Sequence, residues 1–218
     1  MSNSLTISAV GQADDTVILA NSLEKLRHLL YLVLDYCTKY NVKLSSSKTK
    51  LLQLIPPRSK YYIPYNPIMI DGEVIEISSE AEHVGVIRSV DGNLPNILNR
   101  VASFKKALDA IASCGLARGH RANPAASLKI LSTYCTPVLM SGLGSLFLTN
   151  KEIAMIDQQY KKTLKNILKL PVSSPSSLVY FVAGSLPGTA ILHLRQLSIF
   201  GMVCRRQYDP LHQHAVQE

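Results

Sequence analysis

The apolar residues of this chain change their spacing once, near Asn93, and that change limits the fold more than any single motif does. Upstream, Leu5, Ile7 and Ala9 alternate with Thr6 and Ser8, the period-two pattern of a strand. "IMIDGEVIEI", Ile68 to Ile77, predicts a hairpin about Asp71-Gly72, and "HVGVIRS" from His83 predicts one more short strand, with Gly85 allowing close backbone approach. Downstream, Ile97, Val101, Phe104, Leu108 and Ile111 recur at three- and four-residue steps, the period of a helix. The expected fold is therefore α+β, with a small antiparallel sheet in residues 1–90 and an all-helical region over 91–218.

Within the first region, "AVGQADDTVILA" places Asp14 and Asp15 between two apolar runs. Thr16, Val17, Ile18 and Leu19 predict a second strand, so the two carboxylates fall in a tight strand connection. Aspartate is a common turn residue, which is the simplest account of the pair, but Ala-Asp-Asp lacks the glycine that a two-residue hairpin turn usually has after its Asp. Two adjacent carboxylates also repel, and a hard divalent cation such as Mg²⁺ relieves that repulsion. After the second strand, Asn21 and Glu24 predict a helix start with Asn21 as cap. Leu23, Leu26, Leu30, Val33, Cys37 and Tyr40 then form an amphipathic stripe that ends near Asn41. "VKLSSSKTKLLQL" follows as a serine loop, Lys48-Thr49 and an apolar strand. Pro56, Pro57, Pro64 and Pro67 mark a linker around Tyr61 and Tyr62.

The formal net charge is +8, and it is unevenly placed. Residues 1–94 hold nine Lys/Arg and ten Asp/Glu, whereas residues 95–170 hold eleven and three. A basic helical region either presents a solvated face or meets a polyanion. Arg100, Lys105 and Lys106 lie off the apolar stripe of the first downstream helix. Thr149 and Glu152 predict a capping box that opens another helix, with Ile153, Ile156, Tyr160, Leu164 and Ile167 buried. Lys161, Lys165 and Lys169 stand one turn apart on its other side, with Lys162 beside them, and a last helix is expected over Thr189 to Arg206.

From Ile130 to Asn150 no side chain is charged. A membrane span needs about 20 mostly apolar residues, but Ser, Thr, Gly and Pro dilute this stretch, so a buried, kinked helix or helix pair inside a bundle is expected, and no membrane partner. Cys37, Cys114, Cys135 and Cys204 form no CxxC pair, and the N-terminus shows no secretory pattern. Both features point to an intracellular protein of the cytoplasm or nucleus. Cys204, His212 and His214 give three irregularly spaced zinc-type ligands, a weak pattern.

The order of an Asp-Asp hairpin, an amphipathic helix, "LSSSKT" (Leu44 to Thr49) and "HVGV" (His83 to Val86) resembles the palm of reverse transcriptases from non-LTR, LINE-type retrotransposons. "GLARGHRANPAASLKILSTYCTPVLMSGL" and "LPGTAILHLRQLSIFGM" are similar to the thumb and connection region of the same family. The resemblance implies an RNA-directed DNA polymerase, a nucleotidyltransferase. Asp14 and Asp15 would then hold catalytic Mg²⁺, and Lys48 would lie by the incoming triphosphate. His83, Val84 and Gly85 would form a primer grip. Arg100, Lys105, Lys106, Lys161, Lys162, Lys165 and Lys169 would contact nucleic acid. Its partners would be an RNA template, a DNA primer or their duplex, and deoxynucleotide triphosphates. Such chemistry uses two ions about 3.5–4 Å apart.

Gln12 stands where the family usually has an aromatic residue, and no acidic residue precedes Asp14. The family's first catalytic Asp and its fingers lie further upstream. The chain is therefore expected to be a palm, thumb and connection fragment, inactive alone. The competing expectations are a basic helical module that binds nucleic acid without chemistry, and a structural protein whose apolar edge serves a partner.

Overall fold

A computed structural model of the chain describes residues 9–12, 14–54, 67–70, 72–113 and 123–205. The architecture is α+β, with small two-stranded sheets and a helical C-terminal portion. Two compact units divide the chain, Met1–Gly92 and Asn93–Glu218.

In the first unit, β1 (Ala9–Gln12) runs antiparallel to β2 (Asp15–Ile18), with Ala9 opposite Ile18 and Gln12 opposite Asp15. The start of the expected first strand, Leu5 to Ser8, lies outside the described residues. Helix α1 spans Leu23–Lys39. Its cap is Ser22, not Asn21: the Ser22 hydroxyl accepts the Lys25 N–H at 3.2 Å, which satisfies an otherwise free donor of the first turn. Glu24 in the first turn and Lys39 in the last complement the helix dipole. The helix stops in a Schellman turn. Asn41 takes the left-handed conformation (φ 53°) and the Val42 N–H reaches the Cys37 carbonyl at 2.8 Å. Of the expected buried stripe, Leu30 and Cys37 are buried, but Tyr40 falls in that turn and is 57% exposed.

The remaining strands do not form the expected single antiparallel sheet; they form separate pairs. β3 (Lys50–Leu51) lies parallel to β6 (Glu76–Ile77), while β4 (Met69–Ile70) and β5 (Glu73–Val74) make a hairpin around Gly72 at φ 84°. Asp71 and the linker prolines Pro56, Pro57 and Pro64 lie outside the described residues. The His83 stretch is a hairpin rather than one strand. β7 (Glu80–His83) turns into β8 (Val86–Ser89) through Val84 and Gly85, whose φ angles are 51° and 70°. Two consecutive positive φ values define the mirror-image turn that suits the right-handed twist of a hairpin. Gly85 suits this turn because glycine takes a positive φ without strain. Leu30, Ile68, Ile70 and Ile75 form the core of this unit, with Ile18, Leu23, Leu26, Leu34, Leu44 and Leu51 packed against it.

The second unit opens with α2 (Leu94–Ser113), which buries Ile97 and Phe104 as its stripe predicts. Asn93 precedes it and donates its side-chain amide to the Phe147 carbonyl at 2.8 Å. The uncharged stretch folds as α3 (Pro124–Ile130), a π-turn over Leu131–Cys135 and α4 (Thr136–Met140). Pro137 explains the wide turn, since it lacks an N–H and its ring crowds the preceding turn. The buried Thr136 hydroxyl donates to the Leu131 carbonyl at 2.9 Å and so satisfies the disturbed ladder. Gly142 (φ 71°) then breaks the path into a 3₁₀ turn over Leu143–Ser145. Leu131, Cys135, Leu139, Met140 and Leu143 are all buried, so the absence of charge reflects core packing.

Helix α5 (Asn150–Leu168) carries the predicted capping box, with Thr149 and Glu152 bonded reciprocally. It buries Ile156, Tyr160 and Leu164. Helices α6 (Ser176–Ala183) and α7 (Gly188–Arg205) complete the unit, and α5 packs on both. No single helix among the described residues is long and apolar enough to cross a membrane; α6 and α7 are bent by 64° at their junction.

Candidate functional site

The carboxylate pair divides between turn and strand. Asp14 occupies the β1–β2 turn and Asp15 is the first residue of β2, and both are exposed. The far end of the same strand is anchored, because Ile18 packs on the α1 core. A short hairpin thus presents two hard oxygen donors from a fixed base.

Lys48 is also exposed. The loop around it is a single turn held by its own hydrogen bonds: Thr49 donates its N–H to Ser45 O at 3.0 Å and its hydroxyl to the same oxygen at 2.8 Å. The Ser46 hydroxyl bonds Glu73 and ties the loop to the β4–β5 hairpin. His83 closes the β7–β8 ladder opposite Val86, and its Nε2 is buried with no hydrogen-bond partner among the described residues. Asp14 and Asp15, Lys48, and His83 to Gly85 are therefore carried by three different elements of one unit: the β1–β2 hairpin, the turn before β3 and the β7–β8 hairpin. No hydrogen bond or ion pair among the described residues joins them.

Mg²⁺ commonly takes one or two carboxylates, with its other ligands from phosphates and water. A two-ion cage needs more. Among the described residues no three His, Cys, Asp or Glu side chains gather as a metal site, so the cage implied by the family resemblance is not assembled there. The zinc-type set falls partly outside the described residues. Cys204 is half-buried at the end of α7, and His212 and His214 lie outside the described residues.

The basic residues of the second unit differ from one another. Lys105 and Lys106 on α2 and Lys162 on α5 are exposed. Arg100 and Lys161 are half-buried, and the Arg100 Nε is buried without a partner among the described residues. Two expectations are corrected. Lys165 is not a solvated charge: it is half-buried and its ammonium bonds the Val172 carbonyl. Lys169 does not continue the helical row, because it is the left-handed residue (φ 55°) that ends α5.

A polar cluster went unforeseen. Asp157 Oδ1 accepts the Tyr180 hydroxyl at 2.8 Å and the Gly188 N–H at 2.7 Å, joining α5, α6 and the start of α7. Tyr160 and Ser185 share a further bond at 2.7 Å. The one advance signal was Asp157 itself, an acid directly beside buried Ile156.

No protein-family model, no curated protein and no solved structure matches this chain.

Proposed function

We propose that the chain carries the metal-binding hairpin of an RNA-directed DNA polymerase of the non-LTR retrotransposon type, together with helices that track its template–primer duplex. The supporting observation is the placement of Asp14 and Asp15, exposed at the end of a hairpin whose base is packed on α1. In this reading Asp14 and Asp15 hold Mg²⁺, which when bound neutralises phosphate oxygens at the reacting centre. Lys48, exposed on a self-bonded turn, offsets triphosphate charge, and the tip formed by His83, Val84 and Gly85 meets the primer end. Lys105, Lys106 and Lys162 supply backbone contacts that fix register without reading sequence.

A second reading rests on a different observation: the charge excess lies in the helical unit, with exposed lysines on both α2 and α5. It is a basic module that binds nucleic-acid duplexes and performs no chemistry.

Two assays separate them. Fluorescence anisotropy measures affinity of the chain for an RNA–DNA template–primer with and without Mg²⁺. Primer extension is measured with the chain joined to an upstream polymerase half, as the parent and as Asp14→Asn. The polymerase reading expects Mg²⁺-dependent extension that Asp14→Asn abolishes while duplex affinity holds. Extension that survives the substitution removes the metal role from Asp14. Tight, Mg²⁺-independent binding without extension leaves the second reading.

A further inference from the structure

We infer that the cleft between the Leu143–Ser145 turn and α7 is a binding site for a phosphomonoester, with the Arg195 guanidinium as its anchor. The inference does not depend on the polymerase reading. The cleft has a volume of about 190 Å³, and its walls include Met140, Gly144, Ser145, Arg195, Ser198 and Ile199. Arg195 is its one charged group. It is half-buried and makes no hydrogen bond or ion pair among the described residues. Neither wall brings a carboxylate, since residues 130–150 carry no charge and α7 contains no acid. An anionic ligand would give this half-buried cation the counter-ion that it lacks among the described residues.

The donor set selects the anion. A guanidinium fork binds two oxygens of one anion at once. Ser198 lies one turn beyond Arg195 on the same helix and adds a hydroxyl with no intramolecular bond among the described residues. Ser145 faces them from the other wall. Its proton is already committed to the Gly142 carbonyl at 2.9 Å, so its oxygen is left to accept from a ligand hydroxyl. Two donor groups for phosphoryl oxygens, one acceptor for a hydroxyl and the flanking Met140 and Ile199 suit a small sugar phosphate. Free phosphate shares the anchoring chemistry. The wall is held close by Gly144, where a Cβ would stand 3.0 Å from Ile199 Cδ1 and 3.3 Å from Arg195 Cβ.

Isothermal titration of the full chain at constant ionic strength tests this with inorganic phosphate, ribose 5-phosphate and acetate. The phosphates are expected to bind with dissociation constants on the order of 1 mM or tighter, and acetate at least tenfold more weakly, because a planar ligand loses the second donor. Tighter binding of ribose 5-phosphate that Ser145→Ala removes assigns the site to sugar phosphates, and equal binding assigns it to free phosphate. Arg195→Gln should weaken both by about tenfold or more, and Arg195→Lys, which keeps the charge and loses the fork, by several-fold. Unchanged affinity in both Arg195 variants, acetate binding as tight as phosphate, or no binding of either phosphate overturns the inference. Should Arg195→Gln fail to fold, Arg195→Lys and Ser198→Ala carry the same comparison.

Discussion

Tyr180 donates its phenolic hydrogen to Asp157 Oδ1 at 2.8 Å, and the Gly188 N–H donates to the same oxygen at 2.7 Å. One carboxylate of α5 thereby fastens α6 and the first residue of α7. Burial, and then the Asp157 carboxylate, raise the Tyr180 pKa well above the usual phenol range. A raised folded pKa contributes stability that is complete below the unfolded value, about 10, and is lost as pH rises through the folded value. Tyr180→Phe should therefore cost about 1 kcal/mol at neutral pH, below the usual range for a bond to a charged group because both residues are half-buried. The difference from the parent should shrink above about pH 10. Urea unfolding at pH 7 and pH 10.5 measures both. A deficit that does not depend on pH would show that the hydroxyl does not titrate with folding.

The β7–β8 turn stores strain at an identifiable place. Val84 is β-branched yet holds φ 51°, in the first position of a turn that favours Asn or Gly. The left-handed conformation costs an ordinary residue roughly 1–2 kcal/mol, and Asn tolerates it far better. Val84 is also exposed, so its side chain buries little. Val84→Asn should raise stability by about 1 kcal/mol, read as a higher urea midpoint at unchanged m-value. If Val84 touches the primer end, the same variant changes duplex affinity as well, which separates strain from contact.

Lys169 presents a similar case at the end of α5. Its φ of 55° closes a Schellman turn in which the Leu170 N–H bonds the Lys165 carbonyl at 2.9 Å. Helices ordinarily place Gly there, as this chain does after α6, where Gly184 has φ 59°. Lys169→Gly gains about 1 kcal/mol from relieved strain and gives back a few tenths through the lost charge at the helix C-terminus. A net rise in thermal midpoint of a few degrees is the expected outcome. No rise would mean that the lysine makes a compensating contact.

What the sequence disclosed follows from how local each signal is. The capping box at Thr149 and Glu152, the α2 stripe and the Asp-Asp hairpin depend on neighbours within a few residues, and these appear as expected. The parallel pairing of Lys50–Leu51 with Glu76–Ile77 joins residues far apart along the chain, and two-residue strands carry no period to read. Val84 and Lys169 misled for another reason. Neither residue type favours positive φ; the β7–β8 ladder closing on either side of Val84 and the Leu170–Lys165 bond beside Lys169 overrode propensity there. At the candidate site, the exposure of Asp14, Asp15 and Lys48 agrees with their polarity. The capture of Lys165 by a backbone carbonyl had no sequence signal, because a lysine one turn from two others reads as solvated whatever its ammonium meets.

That capture yields the sharpest test of the basic helices. Each lysine that neutralises a phosphate releases a counter-ion, so removing it lowers the slope of log K against log salt by about 0.9 on a B-form duplex. Lys105, Lys106 and Lys162 are exposed, whereas the Lys165 ammonium is held by Val172 O. Lys105→Gln, Lys106→Gln and Lys162→Gln should each reduce both affinity and slope. Lys165→Gln should leave the slope nearly unchanged and lower the unfolding midpoint instead, because it removes the bond that fastens the Val172 loop to α5. Anisotropy titrations at several salt concentrations, paired with thermal melts, distinguish the two effects. Equal loss of slope from all four variants would place Lys165 on the nucleic acid and break the bond to Val172 on binding. No change from any of them would remove the α2 and α5 lysines from the interface.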